Sequence, residues 1–199
     1  WEKTEKIPDL ILRKGGAPQA NSEIKMLYDD KYLYFACVFF EPEMSKLRAE
    51  LDQHDQAIYT DDCFELFIDT LGDANSNYHL VTNSIGAIYD SLNADPRRFN
   101  ARNAISKSKR FDDQWTLEFA VPFNDLHMQT PLPGEEWGIR LARERKPVEE
   151  VSSYPRCPSG PQGARAFLAK LEFRGNLGQE NEIQASLPDY SFLPGINHF

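Results

Sequence analysis

The stretch Tyr59-Thr60-Asp61-Asp62-Cys63-Phe64-Glu65-Leu66-Phe67-Ile68-Asp69-Thr70 decides the fold. It is an apolar run too short for an independent helix, rich in Phe and Ile and interrupted by acids. The turn signal Leu71-Gly72-Asp73 stops it. These features read as a β-strand. Phe64, Leu66 and Ile68 share one face, and Cys63, Glu65, Phe67 and Asp69 the other. A strand this apolar on both faces lies centrally in a sheet. Glu65 nevertheless sits in its middle, and a buried carboxylate is costly unless a partner meets it. Tyr59 lies six residues earlier, so a ring and a carboxylate mark one end of the strand.

Working outward, the pattern repeats in short pieces. Leu10 to Leu12 reads as an edge strand in an otherwise irregular opening. Ile24 to Tyr28 and Lys31 to Glu41 flank a turn at Asp29-Asp30, and the second strand reads as covered on both faces. Met44 to Leu51, preceded by Pro42, reads as one short surface helix. Tyr78 to Asn83 and Ala87 to Asp90 form a hairpin through Asn83-Ser84-Ile85-Gly86. Ala101 to Arg110 is a lysine-bearing edge strand. Trp115, Leu117, Phe119 and Val121 alternate inward until Pro122, and Trp137, Ile139, Leu141 and Arg143 share one strand face. Residues 146–163 read as loop. Phe167, Ala169, Leu171 and Phe173 supply the last strand's core face, and no periodicity remains after Gly175.

Short strands with almost no helix predict an all-β fold, an antiparallel two-sheet β-sandwich. The expected organisation is one domain over 1–199, with its core at about 24–173 and an ordered tail at 176–199, packed by Tyr190, Phe192 and Phe199. A chain of 199 residues buries a real core. The net charge of −9, without a basic cluster, argues against binding nucleic acid. No apolar run approaches the roughly 18 residues of a membrane span. Cys37, Cys63 and Cys157 are too few for a disulfide scaffold, and they read as buried thiols, with a Cys37–Cys63 bridge as the alternative. Aromatic residues make up 12% of the chain and many fall outside the strand cores, which favours a binding surface of flat rings.

Five blocks, in order, resemble family 9 carbohydrate-binding modules. They are Leu27 to Tyr34, Tyr59 to Asp69, Asn83 to Gly86, Trp115 to Phe123, and Trp137 with Arg143 six residues on. The resemblance implies a DOMON-like β-sandwich that binds plant-type polysaccharide of the xylan or cellulose kind, in such modules often at chain ends. It implies a first clamping ring at Tyr59 and a second at Tyr154, with Glu65, Asn83 and Arg143 gripping hydroxyls. It also implies a partner glycoside hydrolase, a secreted, periplasmic or cell-surface location, and in some members a structural calcium. Asp61-Asp62 are the acids considered for that ion, against a plain capping role. Trp1 is an unusual native first residue, which agrees with a processed or trimmed chain.

Chemistry agrees with the resemblance. A flat ring covers the C–H face of a pyranose, and Glu, Asn and Arg satisfy its rim. A Glu65–Arg143 pair would also offset the cost of burying Glu65. Three rivals stand beside this reading. A glycosidase would use a carboxyl pair such as Asp62 and Glu65, but residues three apart on a strand face opposite sides. Haem binding would draw on His54, His79, His127, His198, Met26, Met44 or Met128, none of them in a motif. The third rival is an interaction domain with a degenerate sugar site.

Overall fold

The computed structural model describes residues 1–2, 4–73, 75–160, 167–175, 183–187 and 190–191, with backbone only from Gly175 onward. Two antiparallel sheets face one another. The smaller is built from β2 (Ser22–Tyr28), β3 (Tyr32–Phe40), β7 (Ile105–Arg110) and β8 (Gln114–Pro122), in the order β2-β3-β8-β7. The larger holds β4 (Cys63–Asp69), β5 (Asn77–Asn83), β6 (Ile88–Leu92), β9 (Glu136–Arg145), β11 (Ala169–Gly175), β12 (Ile183–Leu187) and β13 (Tyr190–Ser191). Their order is β13-β12-β11-β9-β4-β5-β6, and β10 (Glu150–Tyr154) pairs with both β9 and β1 (Ile11–Leu12). The expected sandwich is what the chain forms.

The core fills the space between the sheets. Phe64, Leu66 and Ile68 of β4 pack with Phe35, Phe39, Trp115, Phe119, Trp137 and Phe173. Trp115 lies against Phe39 with ring centroids 4.3 Å apart. β4 is central as expected, between β5 and β9, and every residue in it is buried.

Several expectations are corrected. β3 is covered on one face only: Leu33, Phe35, Cys37 and Phe39 are buried, while Tyr32, Tyr34, Ala36, Val38 and Phe40 alternate half-buried on the outside. The short helix shrinks to a 3₁₀ turn at Met44–Lys46. The following residues are pinned to carboxylates instead, through Arg48 N to Asp62 and Glu50 N and Leu51 N to Asp61. β10 arises inside the stretch read as loop, and its signal, Glu-Val-Ser-Ser-Tyr, is too polar to announce a strand. β12 and β13 continue the larger sheet beyond Gly175. The side chains of Tyr190, Phe192 and Phe199 lie outside the described residues. Phe167 is exposed rather than in the core.

The cysteine bridge does not form. Cys37 lies in the smaller sheet and points into the core, whereas Cys63 sits in the larger sheet among the second apolar cluster with Ile58, Val81 and Ala87. Both are free and buried, as is Cys157. Burial pushes the Cys37 and Cys63 thiols well above their ordinary value. Among the described residues no helix is long and apolar enough to cross a membrane.

Candidate functional site

Register assigns each side chain of the larger sheet to one of its two faces. Phe64 pairs with Arg143 and Glu65 with Ala142 across β4 and β9. Directly opposed residues point the same way. Arg143 therefore shares the inner face of Phe64, and Glu65 the outer face with Phe67. The expected Glu65–Arg143 pair is corrected: the two side chains leave opposite sides of the sheet.

Arg143 is a structural clasp at one end of the sandwich. Its guanidinium donates to the carbonyls of Ala20 (3.3 Å), Asn21 (2.9 Å) and Phe40 (2.7 Å) and to Ser22 Oγ (3.3 Å). It also meets Glu41 at 3.4 Å and stacks over Phe39 at 5.3 Å. Burial, and then the neighbouring Arg145, lower its pKa to about 10, so it stays charged at neutral pH. Arg145 beside it binds Glu41 in a fork at 2.7 and 2.8 Å and reaches Glu150 at 3.0 Å. These contacts tie the approach to β2 and the exit of β3 to β9.

Asn83 has no bonding capacity left for a ligand. Its Nδ2 donates to Leu51 O and Asp61 Oδ2, and its Oδ1 accepts from the amides of Ile85 and Ala87. It holds the β5–β6 turn, where Gly86 takes a φ of 85° that glycine adopts without strain. Tyr154 pairs with Leu141 across β10 and β9 and packs against the main core, so it faces inward. Asp62 accepts from the amides of Arg48 and Lys146, and Asp61 Oδ2 from the amides of Glu50 and Leu51 and from Asn83, while Asp61 Oδ1 is buried without a hydrogen-bond partner, 3.7 Å from Arg48 Nε. These bonds pin the 48–51 segment, the capping role expected of the pair.

The outer face gathers a different set. Glu65 Oε2 makes a 2.6 Å hydrogen bond with His79 Nε2. The His79 ring stacks flat on Phe67, centroids 4.2 Å apart at 5°. Arg140 lies over the opposite strand's Phe67 at 4.3 Å. Tyr89 meets His79 edge-on at 5.9 Å, and Tyr59 meets Tyr89 edge-on at 5.2 Å. A row of aromatic and polar groups thus crosses β9, β4, β5 and β6, buried at Phe67 and His79 and half-exposed at Tyr59 and Tyr89.

Of the five sequence-predicted residues, the fold places Tyr59 and Glu65 together on this face. His79, Arg140 and Tyr89 were missed. Their signal was positional parity. Gly138, Arg140 and Ala142 alternate against Trp137, Ile139 and Leu141, and His79 alternates against Tyr78 and Leu80.

Electrostatics on this face is dominated by burial. It raises the Glu65 carboxyl and lowers His79 to about 3, keeping the imidazole neutral. Glu65 Oε1 is buried without an N–H or hydroxyl donor, but the Glu144 carboxyl shares a hydrogen bond with Glu65. Glu144 follows on the same face and contacts Lys146. Burial, and then the adjacent Glu65, raise it from 4.5 to about 7. The folded chain therefore holds a proton that the unfolded chain releases between those values. Stability falls as pH rises through that window and levels off above it. Glu144→Gln is expected to reduce that slope, to which the raised Glu65, Asp62 and Asp90 carboxyls also contribute. Unfolding midpoints measured across the window check this, and an unchanged slope in the variant would refute it.

Residues 1–146 match the family model described as carbohydrate family 9 binding domain-like. A family 9 carbohydrate-binding module from Caldicellulosiruptor kristjanssonii, solved with cellotriose, shares the fold with a TM-score of 0.69 at 15% identity, over 90% of this chain and 87% of that one. The same module solved with glucose gives a TM-score of 0.69 at 15% identity, over 90% and 88%. Among curated proteins none matches. The family match takes in β1 to β9 and every residue of the outer-face row, and the chain belongs to the carbohydrate family 9 binding domain-like family.

Proposed function

We propose that this chain binds carbohydrate without catalysis on the outer face of the larger sheet, with Tyr59 and Tyr89 as the rings and Glu65 as the central hydroxyl acceptor. The observation that carries the reading is the buried Glu65 carboxyl, held by His79 and by Glu144, next to two half-exposed tyrosines. A sugar hydroxyl takes the place of Glu144 as a donor to Glu65, and the tyrosine rings cover C–H faces. Arg140, held over Phe67, adds positive charge to the same floor. The glucose and cellotriose complexes of the C. kristjanssonii module favour a β-glucan or a related plant-type polysaccharide such as xylan, in line with the sequence resemblance. A cell-exterior location and a partner glycoside hydrolase belong to the same proposal.

The Asp62–Glu65 pair of the hydrolase rival does not form. Asp62, its proposed partner for Glu65, accepts backbone amides with both oxygens.

The test is calorimetric titration with cellotriose and xylotriose, supported by an affinity gel. Tyr59→Ala is expected to weaken binding by about ten-fold or more, the loss of one ring stacking contact. It should move the melting temperature little, because the ring is half-buried. Wild-type affinity in this variant would remove Tyr59 from the site, and failure of the wild-type protein to bind any tested glycan would overturn the reading.

A further inference from the structure

A second cluster of ligand-type side chains lies at the far edge of the larger sheet, where the chain entering Tyr59 passes β6. His54, Asp55 and Asp90 bring one imidazole nitrogen and two carboxylate oxygens within 4.8 Å of one another. His54 Nε2 is 3.0 Å from Asp90 Oδ2 and 3.4 Å from Asp55 Oδ1. Ligands about 2.1 Å from an ion at tetrahedral angles stand ~3.4 Å apart, so these spacings need little adjustment to close on one.

Asp90 supplies an independent observation. Its side chain is wholly buried, and its Oδ1 has no hydrogen-bond partner. An orphaned oxygen of this kind in a protein interior marks a place for a water or an ion. Its Oδ2 is anchored by the Ala101 amide at 3.0 Å, which fixes the group's orientation. The approach is open on one side, since the His54 and Asp55 side chains are 38% and 44% exposed. The Asp55 amide donates to Ile88 O at 3.0 Å and holds the segment against β6.

We propose that His54, Asp55 and Asp90 form a binding site for a divalent transition-metal ion of the zinc or cobalt type. Three protein ligands leave one coordination position for water. Imidazole among the donors selects such an ion over calcium, which takes six to eight oxygens. The bound ion ties the segment leading to Tyr59 to the strand carrying Tyr89. The site stands on its own residues, and its failure would leave the sugar-binding reading untouched.

The experiment is titration of the chelator-stripped protein with Co²⁺, followed by visible d–d absorption, and with Zn²⁺ by calorimetry. Wild type is expected to bind one equivalent at this site, with Zn²⁺ raising its melting temperature. His54→Ala and Asp55→Asn should each weaken binding at least ten-fold and abolish that shift. Both residues are exposed, so the variants should fold, and His127→Ala, elsewhere on the surface, should behave as wild type. Absence of a Co²⁺ spectrum together with absence of Zn²⁺ heat in the wild type overturns the proposal. Unchanged Zn²⁺ affinity in His54→Ala does so as well, and leaves the cluster a plain His–Asp ion pair.

Discussion

Arg143→Ala is expected to cost about 3–5 kcal/mol of folding stability, the loss typical when a buried charged partner is removed. In a domain of this size that lowers the melting temperature by ~10 °C or more. The reason is the number of acceptors left behind. The carbonyls of Ala20, Asn21 and Phe40 and the Ser22 hydroxyl lose a donor at the sandwich end, where water has little access. Glu41 suffers less, because Arg145 still holds it in a fork. Arg143→Lys should recover only part of the loss, since one ammonium cannot span acceptors arranged for a planar fork. Sugar affinity per folded molecule should not change, because Arg143 points away from the outer face. Thermal and urea unfolding check the first expectation. A melting temperature within a degree or two of wild type would contradict the clasp, and lost affinity in the folded variant would return Arg143 to the binding site.

Glu65→Ala is expected to do the reverse. Removing a buried, hydrogen-bonded carboxylate deletes a charge-assisted contact worth about 1.5–3 kcal/mol to a ligand, so cellotriose affinity should fall by about 10- to 100-fold. Stability should change little. The carboxylate is desolvated at some cost, as its raised pKa records, and relief of that cost offsets the small cavity and the lost bond to His79. Glu65→Gln preserves shape and separates the charge from the volume. The opposed outcomes at Glu65 and Arg143 form one comparison: stability without affinity at one, affinity without stability at the other. Equal loss of stability in both variants would show that the two residues support each other after all.

Much of this protein was legible in its residues. The run from Cys63 to Asp69 has the length, the aromatic content and the flanking turn of a central strand, and it is one. Trp115, Leu117, Phe119 and Val121 gather on one face of their strand, because a period of two sends alternate residues to the same side, and that face needed a covering layer. The order of motifs from Leu27 to Arg143 was enough to place the chain in its family, and Tyr59 and Glu65 were already paired by their six-residue spacing at a strand end.

The partners across the sheet could not be read the same way. Glu65 demanded a partner, and the sequence offers no rule for which neighbouring strand supplies it. Arg143 seemed the natural one by charge, yet its own parity with Trp137, Ile139 and Leu141 sent it inward. His79 meets Glu65 because β5 pairs with β4 in the register that sets Phe67 opposite His79. Arg140 arrives because β9 lies on β4's other side and sets Arg140 opposite Phe67. Likewise His54 and Asp90 are 36 positions apart in the sequence and meet only because the segment before Tyr59 is bonded along β6. Alternation along a strand is a local property of the backbone, so the sequence by itself determined the faces of β4, β8 and β9 and the family they belong to. Which groups share a face across strands depends on strand order and register, long-range consequences of burying all the apolar faces at once, and these only the tertiary structure decided.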